Sequence, residues 1–219
     1  MKKLLVFASG SKDGGGSGFE NLINKIKNGI LNAEVVGVVS NHEFGGVRNR
    51  ADKLGIPFIH FNGPYTAENY QKIVSESGAE YVSLSGWLKL VAGLDPKTTF
   101  NIHPGLLPNY GGHGMYGHHV HEKVIADFKD GICKESGLSM HFVTKEYDKG
   151  PTLFEWTTLV TQEDTDKTLA SRVNAAEHYF QPIITNMILE GEIYWDGKNA
   201  DTLFVPLKKI QEIKNSYKN

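Results

Sequence analysis

The chain has 219 residues, 40% of them hydrophobic and 22% charged, with a formal net charge of −2. That is enough chain to bury the core of one α/β domain, and the charge excludes a general nucleic-acid binder, which needs a basic face. The single cysteine, Cys133, excludes an intrachain disulfide and a cysteine-based zinc site, and implies a reducing, cytoplasmic setting. No stretch approaches the ~20 apolar residues of a membrane span, so no membrane partner is expected.

The opening MKKLLVFASGS is too short in its apolar run for a signal core and passes straight into a Gly-rich turn. Residues 3 to 8 (KLLVFA) therefore predict a first strand covered on both faces. Residues 11 to 18 (SKDGGGSG) form a loop, and Phe19, Leu22, Ile23, Ile26 and Ile30 then follow helical spacing, with Gly29 near the helix end. VVGVVS (35 to 40) predicts a second buried strand, which completes a βαβ unit with a right-handed crossover. A helix over 46 to 54, a short strand at PFIHF, a helix through ENYQKIVSES and a strand at YVSLSG (81 to 86) continue the alternation. A strand then leads into NIHPG, and HVHEKVIADFKDG forms a helix. LSMHFVT and TLFEWTTLV are expected to pair as an antiparallel hairpin around KEYDKGP, with Phe154 and Trp156 in the core. From Asp166 to Glu190 a long helix carries Leu169, Val173, Ala176 and Phe180 on one face, and Pro182 should kink or break it. The tail from Phe204 has Leu207, Ile210 and Ile213 at helical spacing and could dock as an extra helix.

The expected architecture is thus a single domain over residues 1–219, of α/β class. Its sheet is doubly wound, mostly parallel and Rossmann-like, with an antiparallel C-terminal portion. In such sheets ligands bind beyond the carboxyl ends of the strands. Those ends carry Ser9 and Gly10, Ser40 and Asn41, Gly86 and Trp87, and Asn101 through Gly105.

Two of these ends carry distinctive chemistry. The loop holding Gly14, Gly15, Gly16, Ser17 and Gly18 opens a helix, so backbone amides and the helix terminus can approach a phosphate. It lacks the Gly-Lys-Ser/Thr ending of a nucleotide loop, and the second strand ends in Ser40-Asn41 without an acidic ribose ligand. A loop with no ligand is the alternative. In Asn101-Ile102-His103-Pro104, residues two apart on a strand share a face, so an amide donor and an imidazole project together. Amine acylation needs such a donor for an oxyanion and a group that manages protons. Asp148, in a polar turn, would by itself be read as solvated.

FNIHPGLLP (100 to 108), then SGLSMHFVTKEYDKGP, then SRVNAAEHYFQP, together closely resemble the formyltetrahydrofolate-dependent formyltransferase family from the first strand to about Tyr194. The resemblance places Asn101, His103 and Asp148 at the catalytic positions and implies 10-formyltetrahydrofolate as co-substrate. On that resemblance, the extra RNA-binding or regulatory domains of some members are not expected at this chain length. The compact form and early Gly-Ser loop resemble the members that formylate phosphoribosylglycinamide in purine synthesis, by direct attack of the amine. On that resemblance Gly16, Ser17 and Gly18 hold the substrate phosphate, and Glu177 with Asn174 meets its ribose. Leu88, Lys89, Leu90 and Val91, with Phe142, Val143, Thr144, Lys145, Glu146 and Tyr147, form the folate site. Asp148 is expected to raise the pKa of His103, which acts protonated, and to order a water that carries the proton. The loop is about four residues longer than the family's usual form. Gly18 stands where the family commonly has Asn, Lys89 where it has Arg, and Trp87 where it has a smaller aromatic. The competing readings are an amino-sugar nucleotide N-formyltransferase and a non-catalytic phosphate or nucleotide binder.

His113, His118, His119 and His121 are expected to form a ligand rim or a solvated helix start, and Glu122 is placed on another helix face, so no metal site is expected. Partners are therefore small-molecule substrates, with no nucleic acid and no membrane, and the chain is expected as a monomer or homodimer.

Overall fold

The computed structural model describes residues 1–12 and 14–217. Asp13, inside the Gly-rich loop, and the last two residues of the tail lie outside the described residues. Seven strands form one sheet in the order β3-β2-β1-β4-β5-β6-β7. They are β1 (Lys2–Phe7), β2 (Ala33–Ser40), β3 (Phe58–His60), β4 (Tyr81–Ser85), β5 (Thr99–His103), β6 (Glu135–Phe142) and β7 (Thr152–Leu159). The first five pair in parallel, whereas β5–β6 and β6–β7 are antiparallel. The helices are α1 (Ser17–Lys27), α2 (Gly46–Leu54), α3 (Ala67–Ser77), α4 (His118–Lys129), α5 (Asp166–Leu189) and α6 (Leu207–Ser216).

The continuous apolar run of β1 is explained by two cores. Leu4 and Val6 join the larger one, with Phe19, Val47, Val124, Phe180 and Ile210 from five of the helices. Leu5 and Phe7 point the other way, into a smaller core with Tyr70 of α3 and Trp87. A strand buried on both faces has no polar side to expose, hence no alternation. Phe154 and Trp156 are buried as expected.

Of the two outcomes expected at Pro182, a break does not occur: α5 runs on through it. Proline has no N–H to donate to the carbonyl four residues back, which is that of His178. Asn21 of α1 fills the vacancy: its Nδ2 donates to the His178 carbonyl at 2.7 Å. A side chain from a neighbouring helix thus satisfies the group that proline orphans.

The tail departs in detail. Phe204 first pairs with Tyr194 in an isolated antiparallel bridge, and helix begins only at Leu207. α6 then docks through buried Ile210, and Tyr217 packs against the rings of Phe180 and Trp156. Among the described residues no helix is long and apolar enough to cross a membrane.

Candidate active site

The neighbouring strands β1 and β4 send the chain to opposite sides of the sheet, which opens a crevice at their carboxyl ends. Ser9 ties this point together. Its N–H donates to the Gly86 carbonyl at 2.9 Å, and its Oγ accepts from the Leu88 N–H at 3.0 Å. A cavity of about 660 Å³ occupies the crevice. Gly16, Ser17 and Gly18 border it on one side, Asn101, His103 and Asp148 on another, and Asn174 and Glu177 of α5 on a third.

Asn101 and His103 leave the same face of β5, as the spacing predicts, and the strand end is locked from β6. Ser139 Oγ donates to the Gly105 carbonyl at 2.8 Å and accepts from the Leu107 N–H at 3.1 Å. His103 is 4% exposed, and its Nε2–H donates to the Tyr110 carbonyl. A carbonyl can only accept, so the neutral ring carries its proton on Nε2 and leaves Nδ1 as the free base. Nδ1 lies 3.9 Å from Asp148 Oδ2.

Asp148 adopts a left-handed conformation, φ 52°. Its Oδ2 accepts from the Gly112 N–H at 2.8 Å, and its Oδ1 lies 3.3 Å from His141 Nε2. Burial works against the ionised carboxyl. Hydrogen bonding from His141 and attraction to His103, each exerted when that ring is protonated, together with the Gly112 N–H outweigh it, so the pKa falls below the ordinary aspartate value.

Asp148 raises the His103 pKa as expected, but the expectation that His103 rests protonated needs correction. Burial lowers the pKa, and the pull of Asp148 and the Tyr110 carbonyl only partly offsets that, so the net direction is down. The resting imidazole is the neutral base, not the cation expected from proximity to a carboxylate.

His141 is the residue that sequence reading missed. It sits directly opposite Asn101 in the β5–β6 register. Its Nδ1–H donates to the Phe142 carbonyl at 2.9 Å, which leaves Nε2 between Asn101 Nδ2 at 3.0 Å and Asp148 Oδ1. A neutral ring accepts from the Asn101 amide, whereas a proton on Nε2 would turn that bond toward Asp148. The signal was present in LSMHF, where Ser139 and His141 alternate with apolar residues, but only strand register connects His141 to Asn101.

The Gly-rich loop folds back on α2. Arg50 Nη1 donates to the Gly15 carbonyl at 2.7 Å while its Nε pairs with Glu20 at 2.8 Å. A Cβ on Gly15 would lie 2.3 Å from the Gly10 Cα, so no side chain fits there. At Gly18 a Cβ would lie 2.3 Å from Ser85 Oγ, a packing reason for glycine where an asparagine is usual in the resembling family. Gly16 caps α1 without any side-chain hydrogen bond, so the helix terminus faces the cavity open. Across from it, burial pushes the Glu177 carboxyl up to about 7, and the Asn174 amide, donating at 3.2 Å, pulls the other way.

The residues assigned to the folate are divided. Leu88 and Tyr147 border the main cavity. Val91, Val143, Thr144 and Lys145 line a second cavity of about 300 Å³ with Leu94 and Pro96. Leu90 and Glu146 are exposed, and the Lys89 ammonium lies 5.7 Å from the Tyr65 ring centre. Phe142 is fully buried and borders neither cavity.

The histidine cluster also splits. His113, His118 and His121 border the main cavity, and His121 is buried while His119 is exposed. Glu122 does not sit on a separate face. His119 Nδ1 lies 3.1 Å from its Oε2, and the ligand atoms of His118, His119 and Glu122 fall within 4.8 Å of one another. Residues three and four apart on a helix are neighbours, so this trio could gather round a cation.

The chain is 34% identical over 205 residues to the chloroplastic phosphoribosylglycinamide formyltransferase of Arabidopsis thaliana, covering 89% of this chain and 68% of that one. It is 28% identical over 200 residues to the phosphoribosylglycinamide formyltransferase of Bacillus subtilis, covering 86% and 95%. The solved phosphoribosylglycinamide formyltransferase of Coxiella burnetii superposes with a TM-score of 0.79 at 26% identity, over 93% of each chain. A family model described as formyl transferase matches residues 2–185, and the chain belongs to that family.

Proposed function

We propose that the chain transfers the formyl group of 10-formyltetrahydrofolate to the amine of phosphoribosylglycinamide, a step of purine synthesis. The observation that carries this is one continuous cavity joining an open, glycine-built helix terminus, the Glu177 carboxyl and the Asn101–His103–Asp148 group. A phosphate suits the first, ribose hydroxyls the second and an acyl-transfer centre the third. The names of the relatives support the same acceptor.

The second cavity has apolar walls at Val91, Leu94 and Val143 with Thr144 and Lys145 at its edge, a lining that fits a flat heteroaromatic ring with polar margins. When bound there, the folate supplies the formyl carbon on its N10. Asn101 Nδ2 exchanges its bond to His141 for the oxygen on which negative charge develops. His103 Nδ1, held neutral by burial, takes the proton from the attacking amine and returns it to the departing nitrogen. Asp148, ionised, stabilises the imidazolium during that interval. One carbon–nitrogen bond forms, one breaks, and one proton moves from amine to N10.

Turnover assays with 10-formyltetrahydrofolate and two acceptors test the assignment. Formylation of phosphoribosylglycinamide, with little or none of an amino-sugar nucleotide, is expected. The reverse preference, or binding of phosphoribosylglycinamide without turnover, overturns it.

A further inference from the structure

His121 lies in the first turn of α4, is 4% exposed, and its Nδ1 is buried with no hydrogen-bond partner among the described residues. A buried polar atom without a partner is a standing penalty on the fold, and native structures that keep one usually have a use for it. His121 borders the main cavity together with Gly117 and His118. Gly117 caps α4 with no side-chain hydrogen bond, so the positive end of this 12-residue helix is also turned on the cavity. Burial, and then repulsion from His103 when that ring is protonated, push the His121 pKa down to about 4, against the pull of Asp166. The ring is therefore an uncharged hydrogen-bonding group at working pH.

α5 sets the order of groups along the cavity. At one end Gln181 Oε1 lies 3.3 Å from where a Gly18 Cβ would be, beside the phosphate loop. Glu177, Asn174 and Ala170 follow along the same wall. At about 1.5 Å per residue, Ala170 is roughly 10 Å beyond Glu177. One turn further, Asp166 is near enough to act on the His121 charge. The proposed acceptor runs in the same sequence: phosphate, ribose, carboxamide, amine. With the phosphate at the loop and the ribose at Glu177, the carboxamide comes next, on the side of α4.

We infer that His121 and the open N-terminus of α4 form a subsite for the acceptor's carboxamide oxygen, between the ribose and the reacting amine. The helix terminus selects the oxygen over the amide N–H, and His121 donates to it from Nδ1. This inference rests on the proposed acceptor. His121 is a substrate-binding residue here, distinct from the proton-carrying His103.

The test is calorimetry of phosphoribosylglycinamide binding without folate, on the wild-type chain, His121→Phe and His121→Asn, joined to steady-state KM values and melting curves. Replacing His121 by Phe should weaken acceptor binding about tenfold, the effect of one lost hydrogen bond of about 1.4 kcal/mol. The KM for 10-formyltetrahydrofolate should stay within about twofold of wild type, since the proposed folate site includes neither group. His121→Asn, which keeps a donor, should recover part of the affinity. The free His121→Phe protein should melt no lower than wild type, because the unpaired nitrogen is gone. Equal acceptor binding by wild type and His121→Phe overturns the subsite and leaves the proposed function standing. So does a loss shared equally by the folate. Failure of the wild-type chain to bind phosphoribosylglycinamide overturns the proposed function and the subsite with it.

Discussion

The two ends of the main cavity are built on opposite principles. At the β5–β6 end, Asn101, His103, His141 and Asp148 are cross-linked by side-chain hydrogen bonds and by carbonyls that fix which nitrogen holds each proton. At the β1–α1 end the groups that face the ligand are backbone, and Gly15 and Gly18 are held to glycine by the atoms a Cβ would strike. Proton transfer needs side chains of set orientation and protonation, whereas an anion needs amides that can come close. The first end should respond to substitution in kcat, the second in acceptor affinity.

The largest effect should come from His103→Ala, which removes the free base. Turnover should fall by about 10² to 10⁴, while acceptor binding by calorimetry stays within a few-fold. Unchanged turnover would break the proposed division between the two ends. Asn101→Ala should cost about 10² to 10³ in kcat through the lost oxyanion donor, with a smaller change in either KM. At the other end, Gly18→Ala drives a methyl group onto Ser85 Oγ and distorts the first turn of α1. Acceptor KM should rise about tenfold at nearly constant kcat, and a pure kcat effect would contradict the contrast.

Glu177 sharpens the comparison through pH. Its folded pKa, about 7, lies above the ordinary carboxylate value because of burial, so the folded state holds a proton that the unfolded chain releases. Stability from this group is present below the unfolded pKa and is lost as pH rises toward 7. Glu177→Gln should therefore raise the melting temperature at pH 8 and make little difference at pH 4. A gain of the same size at both values would show that the carboxyl is not perturbed. The smallest effect is Asn21→Ala, which removes the hydrogen bond to the His178 carbonyl left open by Pro182. A loss of about 1 kcal/mol, or about 2–4 °C in Tm, is expected, with catalysis unchanged at saturating substrates.

What was legible in the sequence follows from distance along the chain. The βαβ alternation, the shared face of Asn101 and His103 and the antiparallel β6–β7 hairpin all depend on periodicity within a few residues. His141 was missed because its meaning arises across strands, in the pairing with Asn101. Whether Pro182 breaks α5 is not readable locally for the same reason, since the partner of the His178 carbonyl comes from α1. The direction of the His103 shift depends on burial, which no motif displays and which overrides the visible carboxylate. Glu122 was misplaced by treating helix positions as separate faces, although neighbours three and four apart share one.

The protonation of His103 is the point on which the two-ended design turns, and nitrogen NMR of the imidazole in the unliganded chain reads it directly. At pH 7 the ring should be neutral with its proton on Nε2, titrating below the ordinary histidine value, and Asp148→Asn should lower that titration further. An imidazolium at pH 7, or a neutral ring protonated on Nδ1, would contradict the assignment of Nδ1 as the base that carries the proton.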